Sequence, residues 1–341
     1  MVMWIKLNEP FQYLGKRMEA GETCEVAGFV AQALIAFDRA VEVDEPDNLR
    51  EQFLQRLNIG ANKPCLFLPF VGEFGHKIMY HIRLLQWHRA SRKVVCCRPG
   101  DEVLYPSADE FVTDWADPID DSIRAGTDRA HRQWPELESR YPGHEIIPAG
   151  GLTHRQEMFC IEPAGKIPLR PKRWGLAVDV CIGTRARQFM PEKNWPHAQL
   201  IADWCREHDL SYAVIGTRQN SYPLDGMACM SGDFGDVDAA IELLQNCRLF
   251  VGTDSGSAHL AATVGCRMFV QAVPELRSFI DARMAIVNPG RVTGVPDWAW
   301  DRPDVFVAAM ADQLRSALAR NGCLKLDSNS SPRNSSSIAR R

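Results

Sequence analysis

The chain has 341 residues, 45% apolar and 24% charged, with a formal net charge of −4. That is the balance of a globular protein of about two domains, and it argues against nucleic acid as a partner, whose binders are normally basic. The opening MVMWIKLNEPFQYLGKRM has no signal-peptide core, and no run reaches the ~20 apolar residues that cross a bilayer, so a cytoplasmic protein is expected, with room for peripheral attachment at the inner face of a membrane.

Residues 1–60 read as an N-terminal helical extension. CEVAGFVAQALIAFDRAVEV (24–43) carries apolar residues at helix spacing, and DEPDN breaks it. From 61 the rhythm changes. CLFLPF (65–70) is a continuous apolar run, as in a strand buried on both faces. The loop VGEFGHK follows, then a helical stretch, IMYHIRLLQWHRA (78–90), and the strand KVVCC (93–97), which makes a βαβ unit. HEIIPAG (144–150) reads as another strand. This first Rossmann-like domain is set at 61–165. EPAGKIPLRPKRW, rich in Pro and basic residues, supplies a linker at 166–174.

The second half alternates more clearly. Strands are expected at 175–183, 211–216, 249–253 and 267–272, with helices at 195–208, 236–247 and 257–265. This implies a doubly wound parallel sheet over 175–301. RPDVFVAAMADQLRSALA opens a C-terminal helix at 302–322, and the Ser- and Asn-rich tail 323–341 reads as disordered. The eleven cysteines include no Cys-x-x-Cys and sit mostly in apolar runs (Cys65, Cys96, Cys97, Cys181, Cys266), so they read as reduced core thiols. The nine histidines show no metal spacing.

Ligands of such sheets bind beyond the carboxyl ends of the strands. There the chain places VGTDSGSAHLAATVG (251–265), which admits three readings. Asp-Ser-Gly-Ser is an aspartic-protease sequence, but that chemistry needs two such carboxylates and a β framework. A serine nucleophile would need Gly-x-Ser-x-Gly, and here the serine falls one place late. The third reading is a helix start whose unpaired N–H groups bind an anion. Small residues at Ser255, Gly256 and Ser257 would let a diphosphate approach, His259 would add a ring N–H, and Asp254 would cap the helix or bond a sugar hydroxyl. A simpler version leaves Asp254 as a cap and His259 as a core histidine.

LFVGTDSGSAHLAATVGC resembles the C-terminal signature of glycosyltransferase family 9, the ADP-heptose:lipopolysaccharide heptosyltransferases and their relatives. The matching positions are Asp254, Ser255, Gly256, His259, Leu260, Ala262 and Gly265. CIGTRARQFMPEKNWPHAQLIADW resembles the family's strand, Thr-containing loop, Lys-x-Trp-Pro and helix. The resemblance implies a GT-B fold, two Rossmann-like domains with a cleft between them. It also implies transfer of a sugar from a nucleotide-diphosphate-sugar donor to a hydroxyl acceptor on a glycan or glycoconjugate, with no metal and no cofactor beyond the donor. Thr184, Arg185, Lys193, Asp254, Ser255, Gly256, Ser257 and His259 would surround the diphosphate.

Two positions depart from the family. Where its first loop carries a catalytic Asp, GEFGHK has His76, with Glu73 inside the loop. Glu73 is the first candidate for the base and His76 the second. After AVIG, Thr217-Arg218-Gln219-Asn220 stands where the family has a glutamate for the ribose, which makes Gly216, Thr217 and Gln219 the nucleoside-side candidates. Asp236-Val-Asp238 reads as a helix start rather than a metal motif. Two rival functions share the architecture: a nucleotide-sugar epimerase and a catalytically silent nucleotide-sugar-binding protein.

Overall fold

The computed structural model describes residues 2–13, 16–27, 34–35, 38–42, 58–70, 74–115, 134–148, 167–171, 174–187, 191–235, 237–271, 284, 287–288, 290–294 and 302–320.

The described part of the N-terminal region is mostly β, with Leu34 and Ile35 helical between the strands. Strands β1 (Val2–Leu7), β4 (Thr23–Ala27) and β5 (Ala40–Glu42) form an antiparallel sheet of order β4-β1-β5, and β2 (Phe11–Tyr13) pairs with β3 (Lys16–Met18) in a hairpin. The alternation lies in β1, where Ile5 and Leu7 are buried and Lys6 between them is exposed, the period-2 pattern of a half-buried strand. The helical reading of 24–43 fails at both ends: 24–27 pair with β1, and Asp38 adopts a left-handed φ of 55° that turns the chain into β5, a conformation that Asp tolerates singly but no helix continues through.

The next sheet is fully parallel, with order β8-β7-β6-β9. Strand β6 (Pro64–Phe67) leads into helical run α1, which begins as Phe74–His76, passes through a π-helical turn, Lys77–His81, and continues as Ile82–Trp87. Then come β7 (Arg92–Cys96), β8 (Glu110–Val112), helix α2 (Pro135–Arg140) and β9 (Glu145–Ile147). Strand order reverses at β6, so the loop after β6 lies at the crevice where such sheets bind ligands.

The second parallel sheet has order β11-β10-β12-β13-β14. Its elements are β10 (Val180–Gly183), α3 (Ala198–Glu207), β11 (Tyr212–Val214), α4 (Val237–Asn246), β12 (Leu249–Thr253), α5 (Gly256–Val264), β13 (Met268–Gln271) and β14 (Val292–Gly294), with α6 (Pro303–Arg320) closing the chain. Strands β10, β12 and β13 are buried along their whole length, which explains their unbroken apolar runs. Helix α3 buries Ala198, Ile201, Ala202 and Cys205, one stripe at helical spacing. The reversal of strand order falls between β10 and β12, which brings the loops after both strands to one crevice. The expectation of two Rossmann-like halves is met by these two parallel sheets. The edge strand β14 was not foreseen, because RVTG is too short to carry a pattern.

The sheets are joined by contacts as well as by chain. One apolar cluster includes Phe67, Ile78 and Ile82 from the first half and Ala258, Leu260 and Ala261 from α5. Arg83 of α1 is fully buried, and its guanidinium donates to Thr263 Oγ1 at 3.2 Å. The expected linker is docked: Ile167 N–H donates to the Thr263 carbonyl at 3.2 Å, Gln245 Nε2 donates to the Leu169 carbonyl at 2.9 Å, and Glu242 accepts from the N–H groups of Trp174 and Gly175. The tail 323–341 lies outside the described residues.

Candidate functional site

The site is built on the carboxyl end of β12. Ser255, in extended backbone, is the N-cap of α5, and its hydroxyl accepts from Ala258 N–H at 3.4 Å. The capping role considered for Asp254 therefore belongs to Ser255. The first N–H groups of α5 have no preceding helical carbonyl to bond, and they carry the positive end of the helix dipole.

Asp254 is 8% exposed and lies between two basic side chains. Lys193 Nζ donates to one carboxylate oxygen at 2.9 Å, and His259 Nε2 lies 3.4 Å from the other. Burial alone would raise the Asp254 pKa, but the hydrogen bonds and charges of His259 and Lys193 outweigh it and hold the carboxyl well below the usual carboxylate range. Lys193 sits in a 3-10 turn, Pro191–Lys193, just before the buried Trp195 that anchors the segment against Phe306. The sequence reading expected Lys193, Asp254 and His259 as neighbours of a diphosphate; the structure brings all three side chains together around the Asp254 carboxylate.

Thr184 does something else. Its hydroxyl donates to the Tyr222 carbonyl at 2.9 Å and accepts from Tyr222 N–H at 3.2 Å, while Ser221 Oγ donates to the Thr184 carbonyl at 2.9 Å. A hydroxyl has one proton, and in this arrangement it is committed to the Tyr222 carbonyl. Thr184 ties the loop after β10 to the loop after β11. Arg185, 7% exposed, donates to Asn194 Oδ1 at 2.6 Å, and Asn194 also bonds the backbone of Arg187 at both N–H and carbonyl. Asn194 is thus a clamp that the sequence did not reveal; its place between Lys193 and Trp195 was the only signal.

Of the nucleoside-side candidates, Gly216 and Thr217 are built into a turn. Gly216 has φ +143°, and a Cβ there would stand 2.0 Å from Ser221 Oγ, so only glycine fits. Its N–H donates to Ser231 Oγ at 2.9 Å, and the Thr217 carbonyl accepts from Ser221 N–H at 2.9 Å. Gln219 is exposed on the tip, beside Arg218, which is paired with Asp233.

On the other side, Glu73 lies outside the described residues, and of His76 only the backbone, in the first turn of α1, is described. The preceding residues reach the second sheet. A Cβ on Gly256 would lie 2.7 Å from Phe74 Cδ1 and 3.3 Å from Gly75 N, and a Cβ on Gly75 would lie 3.2 Å from His259 Cδ2. Gly256 therefore serves close approach of Phe74-Gly75 at least as much as approach of an anion. Behind this contact lie a buried ion pair, Lys77–Asp101, and His81, whose Nδ1 is 3.1 Å from the Tyr105 hydroxyl. Burial, aided by the charge of Lys77, pushes the His81 pKa down to about 3.

Among the described residues no group of three or more His, Cys, Asp and Glu is placed to hold a metal ion, and no helix is long and apolar enough to cross a membrane. Asp238, the second acid of Asp236-Val-Asp238, lies in the first turn of α4, and its carboxylate accepts from Trp174 Nε1 at 3.1 Å.

Residues 236–269, from α4 through α5 into β13, match the family model of glycosyltransferase family 9 (heptosyltransferase). None of the curated proteins matches the chain. Among solved structures, a glycosyl transferase family 9 protein from Veillonella parvula is 13% identical, with TM-score 0.44 over 79% of this chain and 92% of its own. Escherichia coli ADP-heptose lps heptosyltransferase II is 12% identical, with TM-score 0.47 over 76% of this chain and 100% of its own. The E. coli heptosyltransferase WaaC with ADP is 10% identical, with TM-score 0.41 over 74% and 99%. The stretch that carries the capped helix, Asp254 and His259 is thus the part of the chain that is similar to glycosyltransferase family 9.

Proposed function

We propose that the chain is a glycosyltransferase that moves a sugar from a nucleotide-diphosphate-sugar donor to a hydroxyl of a glycan or glycoconjugate, without a metal ion. The observation that carries this reading is the Lys193–Asp254–His259 triad at the start of α5, of which Asp254 and His259 lie inside the segment that matches the family and Lys193 reaches them from the loop after β10. Departure of the nucleoside diphosphate builds negative charge on its terminal phosphate, and preorganised donors aimed at developing charge are usually the largest catalytic contribution. Here those donors are the first-turn N–H groups of α5, with Lys193 and His259 at its flank and Arg185 on the adjoining loop. Asp254 holds Lys193 and His259 in place. The acceptor hydroxyl would lose its proton to Glu73, with His76 second. What supports this is the contact of Phe74-Gly75, the two residues between the candidates in sequence, with Gly256 and His259.

The test is a thermal-shift and titration screen of nucleoside diphosphates and nucleotide sugars, repeated on His259→Gln. A ligand that binds only the folded state raises its apparent stability. The expected result is a shift with one nucleotide family, weakened about tenfold or more in His259→Gln, the loss of roughly 1.4 kcal/mol or more. Wild-type protein that binds no nucleotide would remove the reading. Isomerised sugar from donor alone would point to the epimerase instead.

A further inference from the structure

Thr253 ends β12 and Gln271 ends β13, and the parallel register sets them side by side. Both continue the same sheet face. Phe250, Met268 and Val270 belong to the core beneath α5, whereas Val251 and Phe269 belong to the opposite core, with Trp195 and Phe306. By strand alternation Thr253 and Gln271 follow Val251 and Phe269, on the Trp195 side that also carries the Lys193 turn. They are 4% and 0% exposed.

Among the described residues neither side chain has a partner: Thr253 Oγ1 and both Gln271 carboxamide atoms are buried without a hydrogen bond. The backbone there is satisfied, since Asp254 N–H donates to the Gln271 carbonyl at 3.1 Å. A buried polar group without a partner destabilises a fold, and three such atoms sit together where apolar strand residues would pack without cost. They stand at the carboxyl ends of two adjacent parallel strands, where ligands bind, one residue from the Asp254 that pairs with Lys193 and His259.

We infer that Thr253 and Gln271 form the subsite for the glycosyl part of the donor and read adjacent hydroxyl groups on its ring. This inference rests on the nucleotide-sugar reading above. The carboxamide oxygen accepts from one sugar hydroxyl, and its N–H donates to the oxygen of the next. The Thr253 hydroxyl completes the pair. Such a site selects a sugar with hydroxyls at both positions and rejects a deoxy analogue, which leaves the protein groups unpaired again.

The test compares wild type with the double variant Thr253→Val, Gln271→Leu, which keeps volume and removes the polar atoms. Isothermal titration uses ADP, GDP and UDP and the sugar conjugates of whichever binds. The expected result is a melting temperature equal to or above wild type, unchanged affinity for the free diphosphate, and at least a tenfold loss for the nucleotide sugar. Equal loss for both ligands, or no loss for either, overturns the subsite while the donor reading stands. Wild type that binds neither ligand class overturns both. Should the double variant fail to fold, Thr253→Val alone carries the same comparison, with a smaller loss for the nucleotide sugar only.

Discussion

The two switch points of this molecule are built differently. At the second sheet the loops after β10, β11 and β12 are sewn together by polar contacts: Thr184 on Tyr222, Asn194 on Arg187, Lys193 on Asp254. At the first sheet the segment after β6 rests on backbone and ring contacts, with Phe74-Gly75 seated on Gly256 and the buried Lys77, Asp101, His81 and Tyr105 behind it. The first construction suits charge that must be held still, because a charge triad keeps its geometry only when its loops do. The second suits a surface that must meet a partner of variable shape. In the function proposed above, the sewn side would hold the donor and the contact-seated side would meet the acceptor.

The largest expected effect probes the sewn side. Lys193→Ala removes one partner from a carboxylate that stays buried, and breaking such a pair costs about 3–5 kcal/mol. Urea denaturation should show the loss. A variant as stable as wild type would mean that Asp254 is hydrated and the donor side looser than described. For the same reason Lys193→Ala is a poor probe of binding, and His259→Gln is the better one.

Next comes acidification, which probes the other side. His81 has a folded pKa of about 3, below its unfolded value, so the unfolded state binds the proton first. Its stabilising contribution is full above about pH 6.5 and is lost as pH falls toward 3. By pH 4.5 this amounts to roughly 2–3 kcal/mol. His81→Leu should flatten that limb in a pH series of denaturation curves; an unchanged limb would show that His81 titrates normally. Asp254 acts lower still. Its pKa is depressed in the fold, so its contribution is present above about pH 4, the ordinary carboxylate range, and fades only below it.

Gly256→Ala attacks the seam between the two sides. The new methyl would lie 2.7 Å from Phe74 Cδ1, and overpacking of this kind costs about 1–3 kcal/mol. Activity should fall further than stability, and Phe74→Ala in the same chain should restore part of both. The smallest effect falls on the cap: Ser255→Ala should cost about 1 kcal/mol, read as a modest drop in melting temperature.

The parallel sheets were legible because strands buried on both faces, such as LFVGT and MFVQ, leave continuous apolar runs, and because α5 opens on small polar residues. The N-terminal sheet was hidden by the helix-like apolar spacing of 24–43, whose two ends pair as strands, while the decisive signs were the alternation Ile5-Lys6-Leu7 and one left-handed aspartate. At the site, residue types were readable but their partners were not. Lys193 and Asp254 are 61 residues apart and Thr184 and Tyr222 are 38 apart, and no local pattern announces a bond across such a distance. Thr184 was placed beside the diphosphate by its position in the family-like loop, and its bonds to Tyr222 could not be read from the sequence.

Gly75 and Gly256 give this seam a mechanical meaning. The two halves come close there, with the Phe74 ring packed on Gly256 and the His259 ring on Gly75. A side chain at either position would push the halves apart, so how closely they meet at the helix start is set by two residues that have no side chains of their own.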